Sequence, residues 1–87
     1  MALCGTTVTG PVSLVRGSSV TVGNPVLGCA PNKLTGPVTV SDNVGWNVIA
    51  GNSIIGPLNC LGNAPRPVNN LAPNTVLGPE LGQCSTL

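Results

Sequence analysis

Apolar residues along this chain fall in short bursts, separated by glycine, proline and asparagine. The words "SVTV" (Ser19 to Val22), "VTV" (Val38 to Val40) and "VGWNV" (Val44 to Val48) alternate apolar and other residues with period two. That alternation predicts half-buried strands, and the valine and threonine in these words suit a pleated surface with one covered side. Helices are disfavoured. The longest proline-free stretch, Val38 to Gly56, holds Gly45, Gly51 and four asparagines or aspartates, all poor in a helix interior. In "GNSIIGPLNCLGNAPRP" (Gly51 to Pro67) the glycines and prolines read as corners, with Ile54, Leu58 and Cys60 as inward residues between them.

The corners recur. Gly-Pro occurs at 10–11, 36–37, 56–57 and 78–79, and "APNKLTGP" (Ala30 to Pro37) returns as "APNTVLGP" (Ala72 to Pro79), displaced by 42 positions. The intervening Gly-Pro divides that displacement into steps of 20 and 22, while "GN" recurs at 23–24, 51–52 and 62–63. A period near 21 cuts 87 residues into about four units. Short strands, sharp turns and this period predict an all-β, single-domain parallel β-solenoid (a right-handed β-helix) spanning 1–87. It would have about four coils of about three strands each, with coils about 4.8 Å apart and a stack of about 20 Å. Inward Val, Leu and Ile would stack in ladders. Asparagines at the corners would bond neighbouring backbone and tolerate left-handed conformations. The competing fold is a small disulfide-bonded β-sandwich, which expects strands of about six residues and hairpin turns.

Composition narrows the functions. Only 6% of residues are charged and the formal net charge is +1, so little repulsion opposes association. Three cations, Arg16, Lys33 and Arg66, do not build a phosphate-tracking groove, and Trp46 is the one aromatic residue; nucleic-acid binding is not expected. Recurrent valine, leucine and isoleucine argue against disorder despite 12 glycines and 9 prolines. No apolar run reaches the roughly 20 residues of a membrane span. The start, "MALCGTTVTG", lacks a basic segment followed by an apolar one; the reading is either no signal peptide or a mature segment with an added methionine.

Cys4 and Cys29 are 25 positions apart, and Cys60 and Cys84 are 24 apart. Without histidine or a CxxC pair, zinc has neither its usual ligands nor its usual spacing. An even count in a short chain reads as two disulfides in an oxidising compartment, with three connectivities open; free buried thiols are the alternative.

The segment from about Val48 to Cys84 resembles the C-terminal region of secreted actinobacterial β-helical repeat proteins. The resemblance is carried by Gly51, Asn52, Ile54, Gly56, Leu58, Cys60, Gly62, Asn63, Pro65 and Pro67, then Pro73, Asn74, Val76 and Gly78, and finally Gly82, Gln83 and Cys84. Leu71 and Ala72 stand where that family has a glycine before the equivalent of Pro73. The resemblance implies a secreted or cell-surface β-solenoid with no established activity. It also implies a Cys60–Cys84 bond fastening 61–87, a largely extended C-terminal tail, onto the last coil. Cys4 and Cys29 then form the second pair.

The chemistry for catalysis is sparse. Histidine and tyrosine are absent, the cysteines are accounted for as disulfides, and the only carboxylates are Asp42 and Glu80. A polysaccharide-active enzyme is the remote reading, using those carboxylates or a basic residue. Asp42 with Asn43 reads as a turn, and Glu80 and Arg66 as solvated tail residues. No catalytic residue, cofactor or metal ligand is expected. Trp46 reads as core or rim packing, with an exposed contact to a partner or a sugar as the alternative. Thr7, Thr9, Thr21 and Thr39 raise surface binding to ice, glycan or cell wall, although only "TVT" (Thr7 to Thr9) is a Thr-x-Thr word. The leading expectation is a non-catalytic secreted structural or interaction module. It should self-associate as a dimer or trimer, by end-to-end stacking or through flat valine-rich faces, because a solenoid end presents unpaired strand backbone.

Overall fold

Each glycine–proline corner ends one short strand and starts the next in a new direction, and repeating that step winds the chain into stacked coils. The structure is a computed structural model and describes residues 2–85 and 87. The first coil contains β1 (Ala2–Leu3), β2 (Thr7–Thr9) and β3 (Val12–Val15). The second contains β4 (Thr21–Val22), β5 (Lys33–Thr35) and β6 (Val38–Ser41), and the third β7 (Val48–Ile49), β8 (Ser53–Ile55) and β9 (Leu58–Leu61). The fourth joins the third through a bridge at Val68 and continues with β10 (Thr75–Leu77) and β11 (Glu80–Gly82). All pairings between these strands are parallel, giving sheets in the orders β1-β4-β7, β10-β8-β5-β2 and β11-β9-β6-β3. The protein is a β-solenoid of about four coils, measuring 26 × 25 × 20 Å.

Inward residues stack coil on coil. Leu34 lies over Ile54, Val38 over Leu58, Val40 over Cys60 and Val22 over Ile49, all essentially inaccessible to water. Each such aliphatic side chain contributes about 2 kcal/mol by leaving water. At the shared corner, Gly10, Gly36, Gly56 and Gly78 stack with φ of 128°, 133°, 136° and 155°. Only glycine fits there: a Cβ on Gly56 would lie 2.6 Å from the carbonyl oxygen of Gly36.

Two amide ladders run through the interior beside the apolar ones. Asn32, Asn52 and Asn74 form the first. Asn52 donates from its backbone N–H to Asn74 Oδ1 (3.0 Å), and its side-chain amide donates to Asn74 Oδ1 (2.8 Å) and to the Val22 carbonyl (2.7 Å). The same geometry links Asn32 to Asn52 and the Leu3 carbonyl. Asn43, Asn63 and Gln83 form the second ladder, with the Leu14 and Val40 carbonyls as acceptors. These side chains occupy backbone groups that a corner would otherwise bury without partners.

Several expectations are corrected. The coils are not uniform. Leu3 to Thr7 and Ile49 to Ser53 are each four positions, whereas Val22 to Lys33 is eleven, so the second coil carries seven extra residues. Part of that insertion is a 3-10 turn, Pro25–Leu27. The predicted strand "VGWNV" is instead a corner, since Gly45 has φ 84° and the strand begins at Val48. Similarly, Ser19 has φ 54° and only Thr21–Val22 of "SVTV" is strand. The segment 61–87, expected as a largely extended tail or cap, carries β10 and β11 of the fourth coil. Glu80 opens β11 in register with the inward Leu58 and is half-buried, so it is a coil residue and not a solvated tail residue.

Candidate functional site

The ends of the stack differ. At the C-terminal end the chain folds over the last coil. Cys84 is fully buried and bonded to the equally buried Cys60, with their Cα atoms 5.3 Å apart. The turn is closed by Cys84 N–H to Leu81 C=O (3.3 Å) and Leu87 N–H to Cys84 C=O (3.2 Å), and Leu87 is itself buried. Asn74 N–H donates to the Leu87 carbonyl at 2.9 Å, fixing the cap to the coil beneath.

The first coil has no such cover among the described residues. Leu3, Val8, Val12 and Leu14 continue the inward ladders and pack on the core, yet remain only partly buried. Their backbone neighbours are equally open. Gly10 N–H bonds to Thr35 C=O (2.8 Å), Val12 N–H to Pro37 C=O (2.9 Å) and Arg16 N–H to Ser41 C=O (3.0 Å), all toward the second coil. Backbone direction alternates along a strand, so Thr7, Thr9, Ser13 and Val15 turn their N–H and C=O groups the other way. This end therefore combines an apolar patch with a free strand edge, the two properties that template association.

The Cys4–Cys29 disulfide, with Cα atoms 5.1 Å apart, ties the seven-residue insertion to the first coil. Thus all four cysteines are paired, and two disulfides suggest an oxidising, extracellular environment. No helix among the described residues is long and apolar enough to cross a membrane.

The other singled-out residues are scattered. Asp42 follows β6 in a turn with φ 55°, whereas Glu80 lies in the fourth coil, two coils and so roughly 10 Å further along the axis. The four threonines divide among the three sheets: Thr7 and Thr9 on β2, Thr21 on β4 and Thr39 on β6. The row beginning at Thr9 continues as Thr35, Ile55 and Leu77, so no threonine array forms. Arg66 is exposed and reaches the Gln83 carbonyl at 3.5 Å. Trp46 is 70% exposed, which corrects the expectation of core or rim packing. The valines of the strands mostly face inward, so the exposed apolar side chains on the flanks are chiefly Ile55, Leu61, Leu77 and Leu81. Among the described residues the exposed valines are Val15, Val26 and Val44, none of them next to another in a strand row. Compared with protein-family models, curated proteins and solved structures, the chain matches none.

Proposed function

We propose that this protein is a non-catalytic, exported interaction module that pairs with a second copy of itself through its first coil. The observation that carries this reading is the asymmetry of the ends, one closed by a disulfide-fastened turn and the other open. Two open faces meeting about a two-fold axis would set β2 and β3 of one copy beside those of its partner. With the far ends capped, that contact closes at a dimer. The near-zero net charge offers little resistance to the approach. Export accords with the disulfides, and with the resemblance to secreted β-helical proteins.

An end face bounded by 26 × 25 Å provides at most roughly 600 Å² per copy, near the lower limit for a specific interface. Area alone does not set affinity, and the proposal is tested at a dissociation constant on the order of micromolar. Sedimentation equilibrium at tens of micromolar should give a dimer. Val8→Lys should give a monomer with an unchanged circular-dichroism spectrum, because a lysine at this partly exposed position extends its ammonium into water. A wild-type monomer throughout the concentration range would refute the proposal, as would an undiminished dimer in the variant.

A further inference from the structure

On the flank formed by β1, β4 and β7, away from the open end, lies a cleft of about 410 Å³ lined by Ser19, Thr21, Asn24, Leu27, Trp46, Val48 and Asn70. Its floor is the register pair Thr21 and Val48. Trp46 stands at the corner before β7, and Leu27 and Asn24 lie at and just before the 3-10 turn. From this geometry we infer that the cleft binds a neutral carbohydrate, with Trp46 stacking on a sugar ring and the hydroxyl and amide groups reading its rim.

The lining determines the ligand class. None of the five charged residues, Arg16, Lys33, Asp42, Arg66 and Glu80, contributes to it. An ionic ligand would lose hydration there without gaining a counter-charge. A purely apolar ligand would strand the hydroxyls of Ser19 and Thr21 and the two amides. A pyranose matches both requirements, since it has an apolar C–H face and a ring of hydroxyls. The indole is 70% exposed and Leu27 77%, so apolar surface is left facing water where such a face would lie. The volume is at the small end of ligand clefts, suited to one or two sugar units.

The polar groups are held ready. Asn70 donates from Nδ2 to Asn24 Oδ1 at 3.3 Å, and that is the one side-chain bond of either residue among those described. The Asn24 amide N–H groups and Asn70 Oδ1 are thus left for a ligand. The wall itself is fixed. Asn24 and Cys29 exchange backbone bonds (2.6 and 3.0 Å), and Cys29 is bonded to Cys4. The corner that carries Trp46 is one residue longer than its counterpart in the coil before: Ser18 to Thr21 is three positions while Val44 to Val48 is four, a length that Ala64 to Val68 repeats in the next coil. Stacking the solenoid does not require the seven-residue insertion, which supplies Asn24 and Leu27 to the lining of the cleft.

With one tryptophan and no tyrosine, the protein's intrinsic fluorescence reports on this cleft alone. Titration with members of an array of neutral oligosaccharides, including cellobiose, maltose and di-N-acetylchitobiose, should shift the emission saturably. A dissociation constant on the order of 1 mM or tighter is expected for the best member. By calorimetry, Trp46→Ala should weaken that sugar at least tenfold, and Thr21→Val, which keeps the side-chain shape, severalfold. Arg66→Ala should change nothing. The inference is overturned if no neutral glycan shifts the emission, if Trp46→Ala binds as wild type, or if anionic glycans or peptides occupy the cleft in preference. The Val8→Lys monomer should bind the sugar equally, so this test stands apart from that of dimer formation.

Discussion

Asn52→Asp should lower the stability of this protein by on the order of 5 kcal/mol, enough to leave much of it unfolded at neutral pH. Asn52 is 1% exposed, and its amide nitrogen donates to the Val22 carbonyl at 2.7 Å and Asn74 Oδ1 at 2.8 Å. An aspartate keeps the shape but loses both donors. Two buried acceptors would then face a carboxylate, each unmet bond costing about 1–3 kcal/mol, and the carboxylate would be charged in a dry interior. A domain of this size holds only about 5–15 kcal/mol in total. Asn59, half-buried on β9 and outside both ladders, is the control. Asn59→Asp should move the urea midpoint by no more than about 0.5 kcal/mol equivalent. Equal effects at the two positions would remove the amide ladders from the account of stability.

The second large effect concerns the closed end. Replacing Cys60 and Cys84 together by alanine should cost about 3 kcal/mol, from the 24-residue loop that the bond closes. A further loss follows because Cys84 and Leu87 are packed into the core and the released turn would expose them. The Cys4–Cys29 bond closes a loop of nearly equal length, with a separation of 25. Cys4 is exposed and Cys29 only half-buried, however, so the corresponding double alanine variant should lose the loop contribution with little packing. Urea unfolding of the two variants should place the Cys60/Cys84 variant lower in midpoint. Sedimentation velocity should also separate them: freeing the cap opens the second end, and association should run past the dimer to longer species only in that variant. Equal midpoints together with equal sedimentation would contradict the assigned role of the C-terminal turn.

Much of this architecture was readable from the residues, and for physical reasons. A corner with φ near 130° admits glycine alone, so the stacked Gly10, Gly36, Gly56 and Gly78 leave a visible word in the sequence. Ile54, Leu58 and Cys60 face inward as their spacing implied. The amide ladders were only half visible. Corner asparagines were expected to bond backbone, but their side-chain-to-side-chain stacking depends on register: Asn32 and Asn74 share the word Ala-Pro-Asn, whereas Asn52, which stacks between them, follows Gly51. The insertion was hidden because the period near 21 was taken from the steps of 20 and 22 between Gly36, Gly56 and Gly78, which leave out the Gly10-to-Gly36 step of 26 positions. Trp46 was misplaced because apolar alternation in "VGWNV" mimics a strand, while the left-handed Gly45 turns the chain and exposes the indole. Glu80 was taken for a tail residue because a carboxylate at an inward position contradicts burial preference. In the last coil it is half-buried, and its Oε2 is out of contact with water and without a hydrogen-bond partner among the described residues.

The most direct test of the central claim, that the first coil is a self-association surface, is amide hydrogen exchange measured across a protein concentration series. The N–H groups of Thr7, Thr9 and Ser13 face away from the second coil. In a dilute sample they should exchange as open amides, and protection should rise with concentration as a partner's strands cover them. Amides already bonded within the stack, such as Gly36 to Ile55 and Gly56 to Leu77, should be protected at every concentration. Protection at Thr7, Thr9 and Ser13 that does not change with concentration would contradict the account.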